Sequence, residues 1–384
     1  MGAGFAEGLG TGGWMGIGNP LIEVYTWPQR GDAWLQRVRG LRPRLVLTLG
    51  FTETGLVPGI SAAGATPGDR AFTALADAEF MVNGLTPRPK YPLPPLQAGA
   101  SPALIAKAVI AAQGIPLVVL NAGLPLPPPV LHIDLEGKPA QCLSTGAALS
   151  LEVVHHLWRQ GLAQGKLLGA ESDYLLLAEC VVGGTTTALG LLTGLGVDAA
   201  ERVNSSHPTC NHNQKQNLVA QGLSLAGLPA RPHPLAVVAA VGDPMQPVVA
   251  GLALAASRTR PVLLAGGTQM LAVYALMRAI AQAENYPWNP DNVVVGTTRW
   301  VVVDATGDTV GLAKLTDACL MATQLNFGNS RFEALRAYEQ GFVKEGVGAG
   351  GCAIAASLYQ NWGQAELLAA IEALLEQKAQ IERR

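Results

Sequence analysis

The chain is poor in charge. Of its 384 residues, 14% are Asp, Glu, Lys or Arg, against roughly a quarter in an average soluble protein. The two signs nearly cancel, 26 basic against 28 acidic, for a net charge of −2. A general nucleic-acid binder, which needs a basic stripe, is therefore not expected. Cysteines number five, at Cys142, Cys180, Cys210, Cys319 and Cys352, with no C-x-x-C pair. An odd, dispersed set reads as reduced, buried thiols and a cytoplasmic location. The first residues, MGAGFAEGLGTGG, lack the basic start and apolar run of a secretory signal and the Ser/Thr of a myristoylation signal. The longest uncharged stretches do not read as membrane spans: five glycines interrupt Cys180–Val197 and five prolines interrupt Ala108–Ile133.

Apolar residues, glycine and proline are abundant. Apolar residues make up 49%, enough for a large core, while 45 glycines and 26 prolines imply many tight turns. Residues 1–20 are glycine-rich without apolar periodicity and read as a flexible lead-in. A short helix is expected within Tyr25–Gly40, with Trp34 and Leu35 inward, then an apolar run at Leu45–Leu49. Thr86–Pro102 is a proline-rich surface connection. Ser101–Gln113 has helical spacing behind a Ser-Pro start, and Ile115–Leu120 is β-like.

Three apolar runs in the second half each meet a small-residue turn and then a helical stretch. They are Tyr174–Ala178, Leu235–Val241 and Val262–Ala265, followed by turns at 181–184, 242–243 and 266–267. Val293–Asp304 adds a long β-like run. Strand, tight turn and helix in repetition predict an α/β fold: three layers, Rossmann-like, with a mainly parallel sheet. Ligands then bind beyond the carboxyl ends of the strands, where these turns sit. The last element, Gln364–Arg383, carries an apolar stripe of Leu367, Leu368, Ile371, Leu374 and Leu375. It either packs on its own domain or forms a homodimer face.

Several short motifs bear on chemistry. Of two G-x-G-x-x-G matches, Gly8–Gly10–Gly13 follows no strand, whereas Gly346–Gly348–Gly351 lies between a short extended piece, Gly341–Glu345, and a helix over Cys352–Gln360. The run ECVVGGTTT (Glu179–Thr187) suits a phosphate or ribose, or is a tight turn with an N-capping Thr; Gly266–Gly267–Thr268 is of the same kind. VVVDATGDT (301–309) superficially matches a pyrophosphate-donor loop but has Asp304 alone where an acidic pair is needed. His207, Cys210 and His212 cluster ahead of a helix over Asn213–Ala226, but no second ligand pair follows, and no metal is expected. His155–His156, in a helical pattern, suggests no role.

Six segments taken together resemble the nicotinate-nucleotide:dimethylbenzimidazole phosphoribosyltransferase family, as a divergent branch. They are FTETGLVPGISAAGATP (51–67), ALADAEFMVNG (74–84), AECVVGGTTTALG (178–190), VGDPMQPVVAG (241–251), VLLAGGTQM (262–270) and YEQGFVKEGVGAGG (338–351). The resemblance runs from about residue 45 to 355. It implies a Rossmann-like domain over 45–355 and a small helical part built from both chain ends. Residues 1–44 would supply the lead-in and an N-terminal helical piece, and 356–384 the terminal helix. It implies a homodimer with no cofactor and no membrane or nucleic-acid partner. The implied activity moves 5-phosphoribosyl from nicotinate mononucleotide to an aromatic base, giving α-ribazole phosphate and nicotinate.

The family's general base opens a Glu-Gly-Thr-Gly-Ala motif, which falls here on Glu345, with Val347 in place of the Thr. Its donor loop resembles Glu179, Gly183, Gly184, Thr185 and Thr186. A second phosphate turn is replaced by Asn204–Ser205–Ser206, with Lys215 matching a following phosphate-binding lysine. Gly266, Gly267, Gly346 and Gly348 belong to the donor site, a family serine falls near Ser330, and Gly59 and Ser61 resemble the acceptor pocket. The alternative for Glu345 is a surface charge paired with its neighbour Lys344. The alternatives for the whole chain are a non-catalytic nucleotide binder of the same fold, or a transferase with another donor or acceptor.

Overall fold

Every residue of Tyr174–Cys180 is buried. Its side chains alternate between two apolar clusters: Leu175 and Leu177 join one, Tyr174, Leu176 and Ala178 the other. This period of two, with both faces covered, is what a parallel strand between helical layers requires. The computed structural model describes residues 21–64, 66–96 and 98–383; the lead-in expected over 1–20, with Gly8–Gly10–Gly13, lies outside the described residues.

The strands are β1 (Ile22–Val24), β2 (Pro43–Gly50), β3 (Leu117–Gly123), β4 (Ile133–Asp134), β5 (Tyr174–Cys180), β6 (Val262–Ala265), β7 (Val293–Thr298) and β8 (Leu320–Thr323). They form one sheet in the order β1-β8-β7-β6-β5-β2-β3-β4. All neighbours are parallel except β1, which runs antiparallel to β8. One cluster packs the helices Leu151–Ala170, Pro234–Val241, Met245–Ser257 and Thr268–Ala283. The opposite cluster takes Pro28–Val38, Thr73–Asn83, Ala103–Gln113, Ala349–Gln360 and Gln364–Glu382. The three-layer α/β expectation holds. Strand order reverses between β2 and β5, and such a switch point opens a crevice at the carboxyl edge.

Three expectations are corrected. Leu235–Val241 is not a strand but part of a helix, Pro234–Val241, in the crossover from β5 to β6. Pro234 stands at the first helical position, and the His233 ring accepts from the Leu235 amide at 3.3 Å. The run Val293–Asp304 is strand only to Thr298, and Arg299–Val302 turns helical. Gly341–Glu345 is not a strand: it follows a short 3-10 turn and leads irregularly into the helix Ala349–Gln360. The apolar stripe of the last helix is spent internally, with Leu367, Ile371 and Leu375 buried in the chain's own core. Among the described residues, no helix is long and apolar enough to cross a membrane.

Candidate active site

A cavity of about 270 Å³ opens at the β2/β5 switch point, and the expected Gly-rich turns and Glu345 loop meet in its wall. Gly183, Gly184 and Thr185 come from the turn after β5, Gly267 and Thr268 from the turn after β6, and Glu345 and Gly346 from the loop before Ala349–Gln360. Gly183 has a φ of 88°, and a Cβ there would lie 2.7 Å from the Gly55 amide nitrogen, so neither conformation nor space admits a side chain. This turn brings the start of the helix Gly184–Gly194 to the cavity, and Gly267 does the same for Thr268–Ala283. The Gly184 amide is given to the Val181 carbonyl at 3.0 Å, but the two helix starts still turn their positive ends to one space, an arrangement that suits a phosphate. Ser205 and Ser206 line the same wall. Ser206 ties it to the β2 side, with its hydroxyl 3.1 Å from that of Ser61 and accepting from the Ala62 amide at 2.9 Å.

Glu345 faces this space with a carboxylate fixed by donors alone. It accepts from the Thr297 hydroxyl at 2.9 Å, from the Thr298 amide at 3.0 Å and from the Gly346 and Gly350 amides at 3.1 Å. Gly350 comes this close because it lacks a side chain: a Cβ would stand 2.1 Å from the Thr297 carbonyl carbon. Burial raises the Glu345 pKa, and the four donors offset only part of that rise. A raised carboxylate in fixed orientation is a better proton acceptor than an ordinary glutamate. Val347 beside it holds a φ of 52°, a left-handed conformation that costs a β-branched residue about 1–3 kcal/mol and persists where surroundings enforce it.

Glu179 belongs to the same wall but differs in charge state. Burial pushes its pKa to about 8, and Asp243, Glu345 and Asp77 push the same way. One of its carboxyl oxygens is buried with no hydrogen-bond partner. At neutral pH Glu179 is therefore mostly a neutral acid, able to donate, and it adds little repulsion against a phosphate. Burial also raises Asp77 and Asp243 to about 6; Asp77 takes the Cys180 thiol at 3.2 Å and Asp243 the Thr187 hydroxyl at 2.6 Å.

A raised carboxyl binds its proton more tightly folded than unfolded. Stability is then full below the unfolded pKa and is lost as pH rises to the folded one. For Glu179 that window runs from the ordinary carboxylate range to about 8. The expected result is that Glu179→Gln matches wild type near pH 5 and exceeds it by roughly 2–5 kcal/mol at pH 9, measured by urea unfolding at each pH. Parallel pH curves would show that Glu179 is ionised already in the folded protein at low pH.

Other expected site residues sit elsewhere. Gly59, Thr186, Lys215, Gly266, Ser330 and Gly348 are not in the cavity wall. The Lys215 ammonium is buried against the Asn204 carbonyl, and burial lowers its pKa to about 8. The Ser330 hydroxyl donates to Glu372 at 2.7 Å, on the last helix. Gly59 supports the wall from behind, its carbonyl accepting from His207 at 3.0 Å and Asn211 at 3.1 Å. Gly348 lies under the loop, where a Cβ would meet Ala178 at 2.7 Å. The His212 ring engages the Thr306 carbonyl at 2.6 Å, and among the described residues no group of three His, Cys, Asp or Glu could hold a metal ion.

Sequence reading missed Lys344. It is not a solvated partner of Glu345 but a cavity-wall residue, 7% exposed, whose ammonium meets Asp304 at 2.6 Å and donates to the His207 carbonyl at 3.1 Å. Asp304 also accepts from Asn204 at 3.0 Å and from the Thr306 hydroxyl at 2.7 Å. Burial alone would raise its pKa, but these partners hold it below the ordinary value.

Comparison with known proteins gives the family and a shared fold. A family model described as phosphoribosyltransferase matches residues 98–292. A UPF0284 protein of Cyanothece sp. is 64% identical over 362 residues, covering 94% of this chain and 98% of its own. Two solved structures from Thermus thermophilus share the fold. One is a nicotinate-nucleotide-dimethylbenzimidazole phosphoribosyltransferase, 18% identical with a TM-score of 0.55, covering 93% of this chain and 94% of that one. The other is CobT, 20% identical with a TM-score of 0.58, covering 92% and 94%. By the family model and by its long, close relative, the chain belongs to the phosphoribosyltransferase family, in the branch of the UPF0284 proteins.

Proposed function

We propose that this protein transfers 5-phosphoribosyl from nicotinate mononucleotide to an aromatic base of the benzimidazole or purine type, releasing nicotinate and forming an α-ribazole phosphate-type nucleotide. The observation that carries this reading is Glu345, a half-buried carboxylate fixed by four donors and facing a cavity that two helix starts also enter. The donor's phosphate rests on the amides of Thr185 and Thr268, beside Ser205 and Ser206. Its ribose C1′ bonds to a cationic pyridinium nitrogen, and that bond breaks as nicotinate leaves with a neutral ring. One ring nitrogen of the acceptor bonds to C1′ while the other gives its proton to Glu345. Neutral Glu179, with one carboxyl oxygen unpartnered in the same wall, donates its hydrogen bond to the bound substrate. The reaction in the name of the first Thermus thermophilus neighbour supports this choice of donor and acceptor class.

The test is incubation of the purified protein with nicotinate mononucleotide and a panel of benzimidazoles and purines, with nicotinate followed by chromatography. Base-dependent nicotinate release is expected. Donor binding by calorimetry without release for any base would replace this reading with a non-catalytic nucleotide binder. A cytoplasmic homodimer belongs to the same reading and rests on the resemblance, since the last helix spends its stripe internally. Light scattering at micromolar concentration is expected to give twice the chain mass of 39.9 kDa.

A further inference from the structure

Beside the active-site cavity lies a second one, of about 420 Å³. The two share a wall made by Thr73 and Pro94. The active-site cavity alone, about 270 Å³, falls at the low edge of the roughly 300–1,000 Å³ that single-ligand sites occupy. A transfer between two organic molecules must seat both at once, so the adjoining space becomes part of the problem of fit.

The second cavity has a distinct chemistry. Phe72 and Tyr91 line it, stacked on each other with ring centroids 5.8 Å apart and planes 14° from parallel. Pro92, Pro94 and Pro95 are also in its lining, and the Lys90 ammonium stands 5.4 Å from the centre of the Tyr91 ring. Asp69 also borders it, but Asp69 accepts from the amide and the hydroxyl of Thr66, at 3.0 and 2.8 Å. Flat rings and proline faces favour a flat apolar guest through stacking and area burial. Phe72 is 44% exposed, so its ring has apolar surface left to cover. At the junction, the Thr73 hydroxyl is buried without a hydrogen-bond partner. An orphaned hydroxyl of this kind is a cost that a polar ligand atom removes.

We propose that this second cavity is an acceptor subsite, taking a flat apolar group carried on the edge of the base away from the attacking nitrogen. The inference rests on the transfer reaction proposed above and deepens it: the acceptor class is an aromatic base extended by a second ring, not a compact bicycle alone. The attacking ring lies by Glu345, its edge passes Thr73 and Pro94, and the extension stacks on the Phe72–Tyr91 pair.

The experiment is calorimetric titration of the full chain with benzimidazole and with 5-phenylbenzimidazole, for wild type, Phe72→Ala and Phe72→Tyr. Wild type is expected to bind the phenyl compound at least about tenfold more tightly, which is the order of one well-buried ring's worth of affinity. Phe72→Ala is expected to erase that advantage and leave benzimidazole affinity unchanged, while Phe72→Tyr restores it. Equal affinity of wild type for the two compounds, no binding of either, or an advantage that survives in Phe72→Ala overturns the subsite. The readout is binding, so a protein that binds the extended base in this way yet releases no nicotinate refutes the reaction and leaves the subsite standing.

Discussion

Glu345→Gln is expected to lower turnover with the best acceptor by about 10²–10⁴-fold, which corresponds to roughly 3–5 kcal/mol of barrier. The amide keeps the size of the side chain but accepts no proton. Its effect on the fold follows from the contacts. The native carboxylate receives donors on both oxygens, from Gly346 and Gly350 on one and from Thr297 and Thr298 on the other. An amide keeps one of these oxygens and points its own donors at the remaining N–H or O–H. The variant should therefore lose about 1–3 kcal/mol in urea unfolding as well. Donor affinity should stay within about threefold, because the phosphate is held at the helix starts. The pH profile gives a second signature. Burial raises the Glu345 pKa, so wild-type activity should rise with pH along a limb centred above the ordinary carboxylate range, and the Gln variant should lack that limb. A Gln variant within about threefold of wild-type turnover would remove Glu345 from the base role.

Lys344→Met should cause the largest loss of stability of any single change in the site. The substitution keeps the stem and deletes a cation whose partner, Asp304, has a side chain only 4% exposed. Breaking a buried pair from one side leaves an uncompensated charge and costs about 3–5 kcal/mol. The pH dependence has a defined sign. Asp304 is held below its ordinary pKa in the native chain, so its contribution is present above the unfolded pKa and lost as pH falls through the folded one. The deficit of Lys344→Met should accordingly be full at pH 7 and shrink near pH 4, where the stranded carboxyl takes a proton. Lys344→Met with Asp304→Asn should recover much of the loss, read as a coupling in a double-mutant cycle. Full additivity would mean that the pair is not energetically joined. The wall should feel the change too, since Lys344 also holds the His207 carbonyl, next to Ser205 and Ser206.

The parts of this molecule that were readable in advance are those where periodicity and punctuation agree. Tyr174–Ala178 and Val262–Ala265 are short apolar runs that lead into paired glycines, and they lie in adjacent parallel strands, the first extended to Cys180. Leu235–Val241 has the same look but no period, because a helix buried all round and a buried strand are equally apolar. The available signal was His233–Pro234, a cap followed by proline at the first helical position. The convergence of the 183–184 and 266–267 turns with Glu345 was legible because strand ends share an edge. Lys344 was not, because adjacency in sequence says nothing about direction: Glu345 turns to Thr297 and Gly350 while its neighbour reaches Asp304, 40 positions earlier. Ser330 and Lys215 were placed by motif position, and each has a nearer partner that a sequence does not display.

The antiparallel edge of the sheet has a consequence for how the chain is made. β1 pairs with β8 through Ile22↔Thr323 and Val24↔Met321, so a three-residue strand replaces β8 as the rim of the sheet, and a short rim offers other chains little to pair with. These partners are separated by most of the polypeptide. At roughly 5–20 residues per second of synthesis, β1 waits on the order of 15–60 seconds for the strand it joins. During that interval β2, β3 and β5 have emerged and can assemble the middle of the sheet, while Ile22–Val24 has no place to go. Among the described strands, the one at this rim is thus made well before the neighbour it pairs with, and the rim takes its final form only once β8 has been made.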